Sequence, residues 1–599
     1  MPTYKAPLRD FRFLLNDVFE ATRQYEQWGF PDATPDIVDA VLAEGAKFAE
    51  GVLAPLNEKG DEVGAKWADG KVTTAPGFKA AWKQYREGDW GSIGANPEFG
   101  GQGLPESVEL SFNEMACAAC VSFRMSGSLT LGTVHALEAH ASDELKQTYL
   151  PKLIAAEWAG TMCLTEPHAG SDVGIITTAA KPNGDGSYAL NGTKIFITFG
   201  EHDLTDNIIH LVLARLPGAV KGPKGISLFL VPKYLLDDAG KPSSELNGVV
   251  CASIEHKMGI LASPTCVLNF EDAKGFLVGK EHGGMAAMFT MMNYARLDVG
   301  QQGLSQGERA LQGATAYTLE RLQMRAATGA KAPEKVADPI IVHDDIRRML
   351  LTIKSLVEGS RALAIYAATQ LDKKHHPDTA ERARADGLLA FLIPIVKGFL
   401  TEVGSEAAYW GVQCWGGAGY IRESGMEQYA RDSRIMSIYE GTNTIQANDL
   451  LRRKVIGSNY ELLSLFLQEV DALAGELKGV SELGYQAAAL SELSREWVAL
   501  SKDIGERAKT NADEAAGAAF DYLMYSGYVA VAYFWARMSK AALAGLGKGT
   551  STDDTFLRTK LQTARFYYER ILPRTRTLAV TLRAPSQTLM DIADDNFVI

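Results

Sequence analysis

Ile438-Tyr439-Glu440-Gly441-Thr442-Asn443-Thr444-Ile445-Gln446 places a single carboxylate between an aromatic residue and a glycine. A charged turn, Arg431-Asp432-Ser433-Arg434, leads into it, and a helical segment, Leu450 to Ile456, follows. A glutamate on a short apolar turn has few water neighbours, so its pKa is expected to rise toward neutrality. That is the tuning of a general base that takes up a proton in one step and gives it back in another. The competing structural reading is a glutamate that caps a turn or pairs with Arg434.

The chain has 599 residues, more than one hydrophobic core organises, so several domains are expected. With 46% hydrophobic and 22% charged residues it reads as a globular protein. The net charge of −13 argues against binding nucleic acid through its phosphates. Six cysteines are too few for a disulfide framework, and Cys117-Ala-Ala-Cys120 reads as two small residues on one helix face. The N-terminus lacks a signal-peptide core, and apolar runs such as Leu388 to Val396 are too short to span a bilayer. A cytoplasmic protein with no integral membrane segment is expected.

Outward from Glu440, the hydrophobic periodicity divides the chain into five parts. Residues 1–34 form a helical arm, with Leu8, Phe11, Leu14, Leu15, Val18 and Phe19 at helical spacing. Residues 35–157 form an N-terminal helical domain. Residues 158–280 change period to short strands split by turns such as Pro182-Asn183-Gly184-Asp185-Gly186, which points to a central antiparallel β domain. Residues 281–460 return to helices, one from about Arg382 to Tyr409 with Pro394 as a possible kink, and carry Glu440, the candidate base. Residues 461–599 add a further helical domain, whose stripe Tyr522, Tyr525, Tyr528, Val531, Phe534 and Trp535 reads as core. The fold class is α+β multidomain.

Five stretches then carry a resemblance in the right order. They are Leu164-Thr165-Glu166-Pro167-His168-Ala169-Gly170-Ser171-Asp172, Leu190-Asn191-Gly192-Thr193-Lys194-Ile195-Phe196-Ile197-Thr198, Arg321-Leu322-Gln323, Gln413-Cys414-Trp415-Gly416-Gly417-Ala418-Gly419-Tyr420, and Tyr439-Glu440-Gly441-Thr442. With the helix–sheet–helix order, the chain resembles the acyl-CoA dehydrogenases from about residue 35 to 460. Its length resembles the subgroup of about 600 residues, which includes fatty acyl-CoA and 3-methylthiopropanoyl-CoA dehydrogenases.

The resemblance implies a four-helix-bundle domain around Glu440 and FAD as cofactor. It implies α,β-dehydrogenation of an acyl-CoA thioester, with Glu440 removing the α proton and the flavin taking the β hydrogen as hydride. A fatty acyl-CoA is the favoured substrate, with 3-methylthiopropanoyl-CoA, or an oxidase-type activity, as the alternative. A relative that binds nucleic acid is a third reading, opposed by the acidic charge and the intact Glu440.

By the same resemblance Thr165, Ser171, Phe196 and Thr198 meet the flavin, with Phe196 where the family often has Trp. Arg321 and Gln323 reach the FAD of a neighbouring subunit. Gln413, Gly416 and Gly417 approach its pyrophosphate, and Thr442 and Thr444 its adenosine half. Ser171, Asn293, Arg296 and Gly441 face the substrate. Ala295 stands where some branches carry the base instead, which leaves Glu440 without a rival. His168 is read as filling its loop. A homodimer, with electron-transfer flavoprotein as acceptor, completes the expectation.

Overall fold

The computed structural model describes residues 3–548 and 553–598. They divide into two compact units, residues 43–298 and residues 3–42 with 299–598.

Helix α1 (Leu8–Arg12) belongs to the second unit; the first unit opens with the end of α2 (Pro35–Phe48, which the division cuts at residue 42), then α3 (Ala54–Val63). A hairpin of β1 (Lys66–Ala68) and β2 (Lys71–Thr73) precedes α4 (Phe78–Glu87). α5 (Glu106–His140) is buried along nearly its whole length, and α6 (Asp143–Ile154) begins at Ser142, whose hydroxyl accepts from the Leu145 N–H as an N-cap. One expectation fails inside α5: the backbone leaves helical geometry at Cys120 (φ −159°, ψ 90°). Cys117 and Cys120 are both buried, but they do not share an uninterrupted helix face.

The sheet follows, with β3 (Trp158–Cys163), β4 (Ala179–Pro182), β5 (Tyr188–Thr198), β6 (Asn207–Arg215), β7 (Ile226–Pro232), a hairpin of β8 (Tyr234–Leu236) and β9 (Pro242–Leu246), β10 (Val249–Ile254) and β11 (Thr265–Val278). Every residue of β7 and all but the last of β6 are buried, which matches their near-continuous apolar runs. The expected antiparallel domain needs one correction. β3 runs parallel to β6, and β4 meets β6 in a single parallel pair, so the sheet is mixed. The chain between β3 and β6 passes through β4 and β5, which supplies the long connection that parallel neighbours need.

In the second unit α7 (Gly284–Glu320), cut by the division at residue 298, leads to α8 (Asp344–Asp372), α9 (Thr379–Trp415), α10 (Met426–Arg434) and the short α11 (Asn443–Asn448). α9 is unbroken across Pro394. It is also long and apolar enough to cross a membrane, with mean hydropathy 1.6 over its best window, but 78% of that window is buried inside the protein. It is a core helix. α12 (Glu461–Leu477), α13 (Gly484–Thr510), α14 (Asp513–Gly545), α15 (Asp554–Phe566), α16 (Arg574–Thr581) and the one-turn α17 (Gln587–Met590) follow. The aromatic stripe of α14 is core as read: Tyr522, Tyr525, Val531, Phe534 and Trp535 are fully buried.

A buried charge network ties the arm to this unit. Arg361 on α8 bonds Asp10 and Glu308 at 2.7 Å each, and Lys560 on α15 bonds Glu358 at 2.9 Å and also Asp10. Removing one member would leave a buried charge uncompensated, which costs roughly 3–5 kcal/mol. The arm is therefore part of the folded unit.

Candidate active site

The turn at Glu440 is made by two consecutive left-handed residues, Glu440 (φ 55°) and Gly441 (φ 85°). A non-glycine residue with positive φ is strained and persists only where its surroundings fix it. Here they are neutral amides. Gln446, fully buried, donates to the carbonyls of Glu440 (3.3 Å) and Gly441 (3.4 Å). A Cβ at Gly441 would lie 2.8 Å from that amide nitrogen, so position 441 excludes a side chain on two grounds. Thr442 caps α11 by accepting from the Ile445 N–H at 3.3 Å.

Asn443, buried, docks the turn on α9. Its amide donates to the Gly398 carbonyl, Thr401 and Glu402, and its oxygen accepts from Lys397 at 2.9 Å. On the other flank the Tyr439 hydroxyl donates to Gln302 of α7. Glu440 itself is half-buried. Arg434, its expected structural partner, bonds Ser437.

The glycine turn of the same unit follows α9. Gly416 ends the helix at φ 59°, and a short 3₁₀ segment, Gly416–Tyr420, continues. Added Cβ atoms at Gly416 or Gly417 would meet nothing within 4 Å, so both backbones face open space. Trp415 holds this end of α9 against α7, stacking on Tyr317 (centroids 4.2 Å apart) and donating to the Gly313 carbonyl at 3.0 Å. Arg321, whose N–H bonds the Tyr317 carbonyl, lies one turn further on. Arg321, Gln323 and Gln413 are exposed, as is Thr444.

In the other unit the loop after β3 is pinned by a buried ion pair. The Glu166 carboxylate accepts from Lys194 at 2.9 Å and from the N–H and hydroxyl of both Thr177 and Thr178. Burial alone would raise this carboxyl, but Lys194 and those donors hold it down to about 2. Lys194 also donates to the Leu164 carbonyl at 2.9 Å. The Ile195 N–H bonds the Thr165 carbonyl at 2.9 Å, so the loop is stitched to β5. Thr165 and Thr198 are half-buried and Ser171 is exposed. His168 fills the loop, its ring against the Ile175 carbonyl at 3.1 Å.

Phe196 is the telling residue of that unit. Between Ile197, paired with Cys266, and Lys194, paired with Leu268, β5 carries one residue more than β11. The bulge sets Phe196 at φ 60° with its ring 58% exposed. A bulge re-aims a side chain out of the alternation, and here it turns an aromatic face outward, so Phe196 is not core. Asn293 is exposed, but Arg296 is buried and lies 3.5 Å from the Asn293 side-chain oxygen. The reading of Arg296 as a surface arginine is thereby excluded.

An outward aromatic ring on the strand that also carries Thr198 suits a planar isoalloxazine. Open glycine backbones and an exposed guanidinium in the same unit are groups of the kind that suit a pyrophosphate. The donor set fits FAD. What the sequence did not reveal is the support: Gln302, Gln446, Asn443 and the Glu166–Lys194 pair. Glu166 and Lys194 sit within quoted motifs, but their pairing across 28 positions has no local signal.

Comparison with known proteins gives a consistent picture. Residues 39–157, 161–273 and 282–455 match the N-terminal, middle and C-terminal domains of acyl-CoA dehydrogenases, and residues 466–593 match the acetyl-CoA dehydrogenase C-terminal-like domain. The chain is 42% identical over 576 residues to 3-methylmercaptopropionyl-CoA dehydrogenase of Ruegeria pomeroyi, covering 95% of this chain and 96% of that one. It is 33% identical to a broad-specificity linear acyl-CoA dehydrogenase of Mycobacterium tuberculosis, over the full length of both. Among solved structures, an acyl-CoA dehydrogenase of Bacillus anthracis complexed with FAD shares the fold at TM-score 0.74, with 20% identity, over 94% of this chain and 90% of that one. The chain belongs to the acyl-CoA dehydrogenase family and is an FAD-dependent oxidoreductase.

Proposed function

We propose that this enzyme introduces an α,β double bond into a short thioether acyl-CoA, 3-methylthiopropanoyl-CoA, in preference to fatty acyl-CoAs. The reading of the reaction is carried by one observation: a half-buried carboxylate, Glu440, presented on a left-handed turn whose backbone is clamped by Gln446. The choice of acyl group is supported by the 42% identity to the methylmercaptopropionyl enzyme, against 33% to the linear acyl-CoA enzyme. It replaces the fatty acyl group that the motifs alone favoured.

Glu440 takes the α proton onto its carboxylate. The Glu440 backbone N–H donates to the thioester carbonyl oxygen, where negative charge develops as that proton leaves, and Gly441 leaves the approach open. Bound FAD supplies the acceptor for the β hydrogen. Phe196 would offer its face to the flavin, and Thr165, Ser171 and Thr198 would supply hydroxyl or N–H donors to it. Gln413, Gly416 and Gly417 would hold the pyrophosphate, and Thr442 and Thr444 would border the adenosine half. Arg321 and Gln323, both exposed, reach the cofactor of a second copy, which makes the working form a homodimer. Asn293 and Arg296 serve the CoA end. Electron-transfer flavoprotein reoxidises the enzyme, and the cytoplasm, where six free buried cysteines stay reduced, is its compartment.

The test is a turnover series with an artificial electron acceptor, using 3-methylthiopropanoyl-, butanoyl-, octanoyl- and palmitoyl-CoA. The thioether substrate is expected to give the highest kcat/KM. A higher value for octanoyl- or palmitoyl-CoA overturns the assignment of the acyl group while leaving the chemistry standing. Slow reoxidation in air by stopped flow separates this reading from an oxidase.

A further inference from the structure

The break in α5 at Cys120 brings together residues that a straight helix would hold far apart. In one unbroken helix Glu106 and His135 would stand about 43 Å from each other. Here the His135 Nε2 lies 3.8 Å from the Glu106 Oε1. Glu109, one turn after Glu106, joins them. One ligand-type atom from each of Glu106, Glu109 and His135 lies within 4.8 Å of the other two. All three residues belong to the unit of residues 43–298.

Two of these groups are carboxylates taken out of water side by side, Glu106 at 4% and Glu109 at 1% exposure. Burial, and then the neighbouring Glu106, push the Glu109 carboxyl up, and Arg124 only partly offsets them. The Arg124 guanidinium is directed elsewhere: its Nε and Nη2 both donate to the Asn113 side-chain oxygen, at 3.1 and 2.6 Å. The third group is a separate observation. The Nε2 of His135 is buried and has no hydrogen-bond partner among the described residues. A buried polar atom left so points to an ion or a water, and the neighbouring carboxylates make it a cation.

The side chains behind these three are placed as a metal site requires. Tyr294 on α7 donates its hydroxyl to the Glu109 Oε2 at 3.1 Å and lays its ring against the His135 ring, with centroids 4.4 Å apart. Asn113 donates to the same hydroxyl at 3.3 Å, and the Gly94 N–H reaches the other Glu109 oxygen at 3.4 Å. Such partners fix the orientation of metal ligands.

We infer that Glu106, Glu109 and His135 form a site for one zinc ion, which clips the two arms of α5 together across the break at Cys120. Two carboxylate oxygens and an imidazole nitrogen are a zinc donor set, with water as the fourth ligand. Tetrahedral bonds of about 2.1 Å set the ligand atoms about 3.4 Å apart, so the side chains draw in by about 1 Å as the ion enters. The imidazole selects against magnesium and calcium, which take oxygen ligands. The role is structural, because both arms of α5 are core. The site stands whatever acyl group the enzyme oxidises.

The FAD-loaded enzyme, stripped with a chelator and desalted, is titrated with zinc chloride, and bound metal is counted by inductively coupled plasma mass spectrometry. One zinc per chain is expected, with a Kd on the order of 1 µM or below, together with a rise in Tm. Magnesium chloride should bind at least about 100-fold more weakly. Glu109→Gln and His135→Leu should each weaken zinc by about 100-fold. Cobalt(II) in place of zinc reads the ligands directly, since its visible absorption bands should be lost in His135→Leu. His135, with its side chain 17% exposed, keeps the test in force should Glu109→Gln fail to fold. The inference is overturned if no zinc binds below about 100 µM, if His135→Leu binds zinc as the parent does, or if magnesium binds as tightly as zinc. The first result would mean that the two carboxylates share a proton instead of a metal.

Discussion

Glu166 and Glu440 are the same residue type on two family-like loops, and the fold treats them in opposite ways. Glu166 is 2% exposed and held by its side chain, which collects Lys194 and four donors from Thr177 and Thr178. At Glu440 the fixed part is the backbone: a left-handed φ, two carbonyls clamped by Gln446, and a neighbouring Asn443 anchored on α9. A carboxylate that must stay charged is satisfied at its oxygens. One that must exchange a proton is positioned through its main chain and left half-buried.

That contrast is most severely tested at Glu440. Glu440→Gln keeps the shape and removes the base, so turnover is expected to fall about 10³-fold or more, with FAD content and the flavin spectrum unchanged. Steady-state assays with 3-methylthiopropanoyl-CoA measure it. Activity within tenfold of the parent would move the base elsewhere and dissolve the comparison.

Glu166→Gln is expected to act on stability. It leaves the Lys194 ammonium buried without its anion, at a cost of about 3 kcal/mol, seen as a fall in Tm of roughly 5–10 °C. The effect has a pH signature. The Glu166 carboxyl ionises at about 2 in the folded chain against an ordinary 4.5. Its contribution, also about 3 kcal/mol, is fully present above pH 4.5 and is lost as the pH falls toward 2. The Tm gap between parent and variant should therefore narrow with acid, and a gap constant from pH 7 to pH 3.5 would show that the pair is not what pins the loop.

These two loops also show what could be read in advance. The order of helices and strands follows from hydrophobic periodicity, a local signal, and so the elements carrying both glutamates were legible. The left-handed turn at Glu440 was signalled only by Gly441. The clamps are long-range and sequence-silent: Gln446 and Asn443 are ordinary polar residues on a short helix, and Lys194 is one strand residue among many. The bulge that turns Phe196 outward depends on β11 having one residue fewer at that point, which no pattern within β5 announces. The parallel register of β3 and the break at Cys120 are likewise set by packing partners.

Gly441→Ala sharpens the comparison from the backbone side. The new Cβ would need φ 85° and would sit 2.8 Å from the Gln446 amide, so the turn must shift. A destabilisation of about 1–2 kcal/mol is expected, together with a loss of turnover larger than the loss of stability explains, since Glu440 moves with the turn. Turnover assayed well below the Tm separates the two.

The smallest effect on folding is expected at Gly417, where an added Cβ meets nothing within 4 Å and φ is not left-handed. Gly417→Ala should leave the Tm unchanged, within about 0.5 kcal/mol. If the open backbone there is the pyrophosphate cradle, the methyl group occupies space that a phosphate oxygen needs, and FAD affinity should fall by about tenfold with no change in Tm of the apoprotein. Flavin fluorescence titration of the apoprotein reads it directly. Unaltered affinity would mean that the glycine is open only because it is at the surface, and the cofactor-binding role would then rest on Gly416, Gln413 and Arg321 without it.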